Sequence, residues 1–490
     1  MAKINVKIGF IPSYREFTEA SMPVPAWVLK MRQDALAVFQ QVPGLQIVAP
    51  RACPDDPKRL DAAHGFTPDG VICNLDQAEA VADFFQREKV DGLIIGAMNF
   101  GDERSAAKIA EKLGVPVLLY ATKEPPVPAG PSMGRVSDSY CGTLSLASAL
   151  YRRKLPFHFA GIVYAEEAQF LAEVDKFVRA VAVVKALKGA RIGQVGVRPP
   201  AFETVAYDET AMIRKFGQNV ICAEVSDIVS RAKSYADDDP AVLSKIGQIR
   251  GEVAEVTVAD ALVMKIARME LAVTDFYTRQ GLSALGMQCW YSMQDLMGMQ
   301  TCALFGRLTA AGMLTACETD MLGSLSMMVS YNSALGESVP HFIDWTIQHR
   351  ENENRLLTWH CGNSPACLAN DPHKTALRAR GDMAGALIPD PADTQAGMYQ
   401  FQLKPGKVTF CRLAEYDDKW KMLITTGEIV PSDDVLAGTW AWVEVKDHAR
   451  LYRTLVEEGF IHHASMIHGD QTASLLLACK FLDIQPVLVE

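Results

Sequence analysis

Three features predict an α/β fold: two doubly wound parallel-sheet domains followed by a C-terminal domain with an antiparallel β-sheet or barrel. Strand and helix signals alternate with short links through residues 1–155, the arrangement of a parallel sheet covered on both faces. The same rhythm restarts near Phe157 and runs to 345. From about Leu377 the texture changes to short alternating runs separated by PGK and DDK turns, the pattern of antiparallel hairpins. The chain therefore divides at 1–155, 156–345 and 346–490. At 490 residues it is too long for one ordinary core, which agrees.

In chain order, VKIGFI (Val6–Ile11) is a buried strand, Pro25–Gln41 an amphipathic helix and LQIVAP (Leu45–Pro50) a second strand. A helix over Leu75–Glu88, the strand DGLIIGAMNF, a helix over Asp102–Leu113 and the strand VPVLLYA (Val115–Ala121) continue the alternation. KEPPVPAGPSMGR (Lys123–Arg135) is a loop at the carboxyl end of that last strand, where such sheets form ligand crevices. Asn99 is a second strand-end residue, either lining that crevice or simply making a turn. The second unit opens with FAGIVYA, a long helix to about Lys188 and RIGQVGVRPP. DDDP (Asp237–Pro240) then links into two helices that end near Gly281. ALGMQCWYSM (Ala284–Met293) is a buried strand and loop, and a Met- and Ala-rich helix leads on to Glu318.

Composition excludes several classes. A net charge of −10 argues against nucleic acid or an anionic membrane as partner. No uncharged apolar run is long enough to span a bilayer, and the N-terminus lacks the apolar core of a signal peptide. Eleven scattered cysteines without a CxxC read as reduced thiols, so a cytoplasmic protein is expected. No GxGxxG follows a strand, and GxxxxGK[ST] and GxSxG are absent.

Three polar residues interrupt apolar runs. LTACE delivers Glu318, VPHFID delivers Asp344 and RLLTWHC delivers His360, each as if at the carboxyl edge of a strand. Taken singly, each acid is also a helix cap or salt-bridge partner, and His360 a hydrogen-bonded core histidine. Together, two carboxylates in apolar surroundings would repel one another and resist ionisation. A divalent cation removes both problems, and two carboxylates with an imidazole suit Mn²⁺ or Mg²⁺ better than zinc or copper. Asp320 reads as the cap of the helix MLGSLSMM. His462, His463 and His468, three of only ten histidines, cluster in IHHASMIHGD after the turn at Gly459.

At these positions the sequence resembles the L-fucose/L-arabinose isomerase family of metal-dependent aldose–ketose isomerases. The resemblance lies in ACETDMLGSLSM, FIDW, WHCGNSP and IHHASMIHGDQTASLLLACKFLDIQPV, in order across Ala316–Val487. Twenty residues lie between His463 and Ile484, a spacing similar to that in fucose isomerases, which favours His463 over its neighbours. The resemblance implies that Glu318, Asp344 and His463 are metal ligands, with Glu318 and Asp344 also serving as acid and base. Arabinose isomerases use two glutamates and two histidines. Asp344 departs from that set toward the fucose type, while His360 resembles the additional arabinose-type histidine. The family further implies Mn²⁺ (or Mg²⁺ or Co²⁺), a sugar substrate, and a trimer or hexamer whose active site lies near a subunit interface.

The chemistry matches these residue types. Moving a carbonyl from C1 to C2 takes a proton from C2, returns one at C1 and exchanges a proton between two oxygens. Gln288, Trp290 and Asn363 are candidates for sugar contacts, or alternatively for turn and core packing. A pentose, 6-deoxyhexose or related sugar is the expected substrate. Aldol cleavage, epimerisation and non-catalytic sugar binding are the alternatives.

Overall fold

The computed structural model describes residues 3–16, 24–124, 136–379 and 396–490, which fall into two compact units. Residues 125–135, most of the expected crevice loop, lie outside the described residues.

The first unit comprises Lys3–Lys185 with Lys480–Asp483. Its five strands are all parallel, in the spatial order Leu45–Val48, Val6–Ser13, Gly92–Ala97, Val117–Thr122, Phe157–Val163. Every residue of Gly92–Ala97 and Val117–Thr122 is buried, as in a sheet covered on both faces, which is why these strands read as continuous apolar runs. Helix Leu75–Glu88 starts where Asn74 accepts a hydrogen bond from the Gln77 amide. Helix Glu103–Leu113 is capped by Asp102 and stops at Gly114, whose φ of 62° lies in the left-handed region. Asn99 accepts from the Arg15 amide and donates to the Arg15 carbonyl, both at 2.8 Å, so it braces a turn. The stretch at Phe157, expected to open a second unit, is instead the fifth strand of this sheet. Its partner Val117–Thr122 offered a free parallel edge, and an apolar run does not reveal which sheet it joins.

The second unit contains a four-stranded parallel sheet in the order Thr315–Ala316, Ala284–Met287, Arg191–Val195, Asn219–Ala223. The remaining strands form a mixed sheet of ten. Within it, Lys419–Val430, Gly406–Tyr416, His463–His468, His341–Gln348, Arg355–His360 and Thr439–Glu444 pair antiparallel in that sequence. The last pairs back onto the first and closes a barrel, leaving these six strands without a free edge. The DDK turn closes the hairpin between Gly406–Tyr416 and Lys419–Val430, with Asp417 (φ 53°) and Asp418 (φ 63°) in the paired left-handed conformation of a tight hairpin turn. The PGK turn does not close one. Strand Ala396–Gln402 before it pairs with Ala376–Ala379 and runs parallel to Thr439–Glu444.

Helix Met321–Ser333 is buried along nearly its whole length and packs on the barrel. Its serines make that polar stripe tolerable: Ser330 reaches Ser465 at 2.8 Å, and Ser326 accepts from the Leu413 amide at 2.9 Å. The helix joins the parallel sheet, through Glu318 just before it, to the barrel strands that carry Asp344 and His463. No helix among the described residues is long and apolar enough to cross a membrane.

Candidate active site

Glu318 follows the two-residue strand Thr315–Ala316, in a short turn before the helix. Glu318 (φ 54°) and Thr319 (φ 56°) both sit in the left-handed region, a strained backbone that persists only where its surroundings over-determine it. Those surroundings are specific. Trp290 Nε1–H donates to Glu318 Oε1 at 3.0 Å, the Cys289 thiol approaches the same oxygen at 3.7 Å, and Thr319 Oγ1 donates to the Val197 carbonyl at 3.1 Å. One carboxylate oxygen is thus tied down and the other is left for something else.

Asp344 is the fourth of eight residues in strand His341–Gln348, not a residue at a strand's carboxyl edge. The edge rule belongs to parallel sheets, and this strand is antiparallel to both neighbours. Register delivers Asp344 instead: it lies directly opposite His463, the first residue of its own strand. His360 closes strand Arg355–His360. His463 Nε2 stands 3.4 Å from Glu318 Oε2 and 3.5 Å from Asp344 Oδ1, and His360 Nε2 lies 4.0 Å from Glu318 Oε2. All four side chains converge. His468, at the other end of its strand, contacts the Lys404 carbonyl and is not part of the cluster. His462 packs against His463 and, with it and Asp344, forms one of two groups among the described residues able to hold a metal ion. The other is Cys317, Glu318 and His360.

Asp320 does more than the sequence suggested. It caps helix Met321–Ser333 by accepting from the Gly323 amide at 2.8 Å. It also accepts two bonds from Arg412, at 2.6 and 3.0 Å, and one from His463 Nδ1 at 2.9 Å. Burial alone would raise its carboxyl; Arg412 and His463 outweigh that and hold it well below the usual carboxylate range. An ionised carboxylate only accepts, so Nδ1 of His463 carries a proton, and Nε2 is the ring nitrogen left to face the two acids. The only hint in the sequence was an arginine, Arg412, inside the apolar run TFCRLA.

Three buried polar atoms here lack a hydrogen-bond partner: Glu318 Oε2, Asp344 Oδ1 and His360 Nε2. Burial pushes the Asp344 carboxyl up to about 6, against the pull of His360 and His463. A carboxylate oxygen of each acid lies within 3.5 Å of His463 Nε2, and two carboxylates with an imidazole are a donor set whose chemistry suits a divalent cation of the Mg²⁺ or Mn²⁺ kind.

The residues expected to touch sugar are occupied within the protein. Gln288 accepts from the Val197 amide at 3.0 Å and donates to Ser292 Oγ at 2.9 Å, fixing the loop after strand Ala284–Met287. Asn363 Oδ1 faces His341 Nε2 at 3.1 Å and its amide nitrogen donates to Cys317 Sγ at 3.5 Å. His341 is fully enclosed, and burial, helped by His360, pushes it down to about 3, so it stays neutral. Thr439 Oγ1 lies 3.3 Å from the same nitrogen and stays as its partner, so Asn363→Ala is expected to cost only about 0.5–1.5 kcal/mol, the net worth of one buried hydrogen bond, with KM little changed. Denaturant melts alongside steady-state kinetics check both halves. Trp290 packs edge-on against Phe202, with ring centroids 4.9 Å apart, and its N–H orients Glu318. Trp290→Phe keeps the ring and removes that charge-assisted bond. A fall in kcat of roughly ten- to a hundredfold is expected from the ~1.5–3 kcal/mol such bonds contribute, read by initial rates at saturating substrate.

Comparison with known proteins identifies the scaffold. Residues 60–188 match the model of the fucose/sulfoquinovose isomerase N-terminal domain, and residues 358–489 that of the L-fucose isomerase C-terminal domain. The chain belongs to the L-fucose isomerase-like family. Proteins of this family are aldose–ketose isomerases, and so is this one. Among its relatives, the sulfoquinovose isomerase of Alkalicoccus urumqiensis is 26% identical over 82% of this chain and 86% of its own length. That of Priestia aryabhattai is 25% identical over 86% and 90%. That of Clostridium sp. (strain MSTE9) is 24% identical over 88% and 92%. Among solved structures, an Actinobacillus succinogenes periplasmic solute-binding protein with bound D-allose overlaps 67% of this chain and 91% of its own, at 11% identity. Its TM-score is 0.18, which carries no argument.

Proposed function

We propose that this isomerase-family chain interconverts an aldose and its ketose through an ene-diol, at a divalent-cation centre held by Glu318, Asp344 and His463. Sulfoquinovose is the leading substrate, by kinship with relatives of that name; a 6-deoxyhexose or pentose is the other class the scaffold serves. The observation that carries the proposal is the convergence of unpartnered Glu318 Oε2 and Asp344 Oδ1 on the His463 nitrogen that Asp320 leaves facing them.

A bound Mn²⁺, Mg²⁺ or Co²⁺ would supply positive charge that acidifies the C2–H bond and offsets the charge of the ene-diolate. The residues do the rest. Trp290 ties down Oε1 of Glu318, and the carboxylate so held is the base that takes the proton from C2 and returns it at C1. Asp344, across the site, serves the exchange of the hydroxyl proton between O1 and O2. Burial of Glu318 and the rings of Phe202 and Phe342 around His463 keep water from the reacting atoms. A homo-oligomer, trimer or hexamer, belongs to the same proposal, and light scattering on the eluting protein measures it directly.

The test uses metal-stripped protein, restored with Mn²⁺ and offered sulfoquinovose, L-fucose and L-arabinose in D₂O while C1 and C2 are followed by NMR. Metal-dependent deuterium uptake with new ketose is the expected result and names the sugar. Exchange at C2 without ketose would point to epimerisation or aldol chemistry on the same scaffold. No exchange on any sugar, despite stoichiometric Mn²⁺ binding, would overturn the proposal.

A further inference from the structure

We infer that His360 is not a ligand of the cation but a hydrogen-bond donor to a substrate oxygen, the inference resting on the site reading above. Proton placement carries the argument. The backbone amide of Cys361 donates to His360 Nδ1 at 2.8 Å. An amide nitrogen can only donate, so Nδ1 offers its lone pair there and the ring proton sits on Nε2. A protonated Nε2 has no lone pair for a metal.

His463, on the neighbouring side of the site, is set the opposite way. Its Nδ1–H is taken by Asp320, and its Nε2 faces both carboxylates. Two imidazoles 6.3 Å apart therefore do different jobs, one accepting a cation and one donating a proton. Distance agrees, since Nε2 of His360 lies farther from Glu318 Oε2, at 4.0 Å, than Nε2 of His463 does, at 3.4 Å.

The ring cannot exchange roles cheaply. It lies parallel to Trp359 and tilted against Phe342, with centroids 6.4 and 5.8 Å away, and turning it over would strand the Cys361 amide. What remains is a nearly fully buried N–H with nothing to donate to, in the same small space as the unpartnered oxygens of Glu318 and Asp344. A sugar carbonyl or hydroxyl oxygen lying among these atoms would satisfy it. Donation from Nε2–H polarises the carbonyl as Glu318 removes the C2 proton and stabilises the oxygen's growing negative charge. The N–H proton stays on the ring, so no further proton acceptor is required.

The experiment compares Mn²⁺ affinity, read by electron paramagnetic resonance of free Mn²⁺, with kcat in His360→Gln, His360→Leu and His463→Gln. Both His360 variants should keep stoichiometric Mn²⁺ with Kd near that of the wild type. The leucine variant should lose at least about 10²-fold in kcat, and glutamine, which keeps an N–H donor, should recover part of it. His463→Gln should weaken Mn²⁺ by at least about 10-fold. If the His360 variants lose Mn²⁺ as His463→Gln does, the inference is overturned while the metal centre stands. If His463→Gln binds Mn²⁺ like the wild type, the metal centre itself is wrong and the inference falls with it. A readout independent of any variant is the one-bond ¹⁵N–¹H coupling of His360 Nε2 in histidine-labelled, Mg²⁺-loaded protein: its presence supports the donor, and a bare Nε2 overturns it.

Discussion

Glu318→Gln is expected to lower kcat by roughly 10²–10⁴-fold, the usual contribution of a positioned general base, while leaving the fold intact. The amide is isosteric and can still accept from Trp290 Nε1–H through its oxygen, so the strained turn at Glu318 and Thr319 keeps its tether. What the amide lacks is charge and basicity at the position of Oε2, which faces His463 and His360. Two readouts should move together. Deuterium exchange at C2 should vanish, and the melting temperature, which in the wild type should rise with added Mn²⁺ by mass action on the folded state, should become insensitive to it. A variant that retains exchange would remove Glu318 from the chemistry. One that loses exchange but keeps the full thermal response would make it a base and not a ligand.

The second large effect lies outside the ligand set. Arg412→Met should destabilise the protein by about 3–5 kcal/mol, the cost of leaving a buried charge without its partner. Arg412 and Asp320 are almost entirely enclosed, with side chains 4% and 1% exposed, and are joined by two bonds. Without the guanidinium, the Asp320 charge would be offset chiefly by the His463 ring. Asp320 then loses the two bonds that fix it in place, and with them its hold on the ring whose Nδ1 it accepts from. Mn²⁺ affinity should therefore fall by about 10- to 100-fold, as for other groups that orient a metal-binding histidine. Chemical denaturation and Mn²⁺ titration test the two claims separately. A loss of stability under about 1 kcal/mol with unchanged affinity would show that the pair does not hold His463.

Much of the scaffold was legible because local rules act over a few residues. Apolar runs with short links indicated a parallel sheet, and two aspartates before a lysine placed a hairpin turn where both residues adopt positive φ. Glu318 was legible as well, because a carboxylate among small apolar residues is costly unless something binds it. The assignment of sheet membership was not. Phe157–Val163 joined the first sheet, and the PGK turn closed no hairpin, because an alternating or apolar strand records which face is buried but not which strand lies beside it. Gln288 and Asn363 illustrate the same limit: an amide in a loop looks alike whether it awaits a hydroxyl or is already bonded at both ends.

Sequence alone pointed to α/β sheets with a C-terminal antiparallel sheet or barrel, and singled out Glu318, Asp344, His360 and His463 as unusual polar residues. How their roles divide depends on the fold. Barrel register sets Asp344 opposite His463, and an arginine 92 residues from Asp320 lets that acid remain charged and draw the proton to Nδ1 of His463. A backbone amide puts the His360 proton on the other nitrogen. Proton positions depend on atoms within hydrogen-bond reach, and those atoms come together only when strands distant in sequence close the barrel.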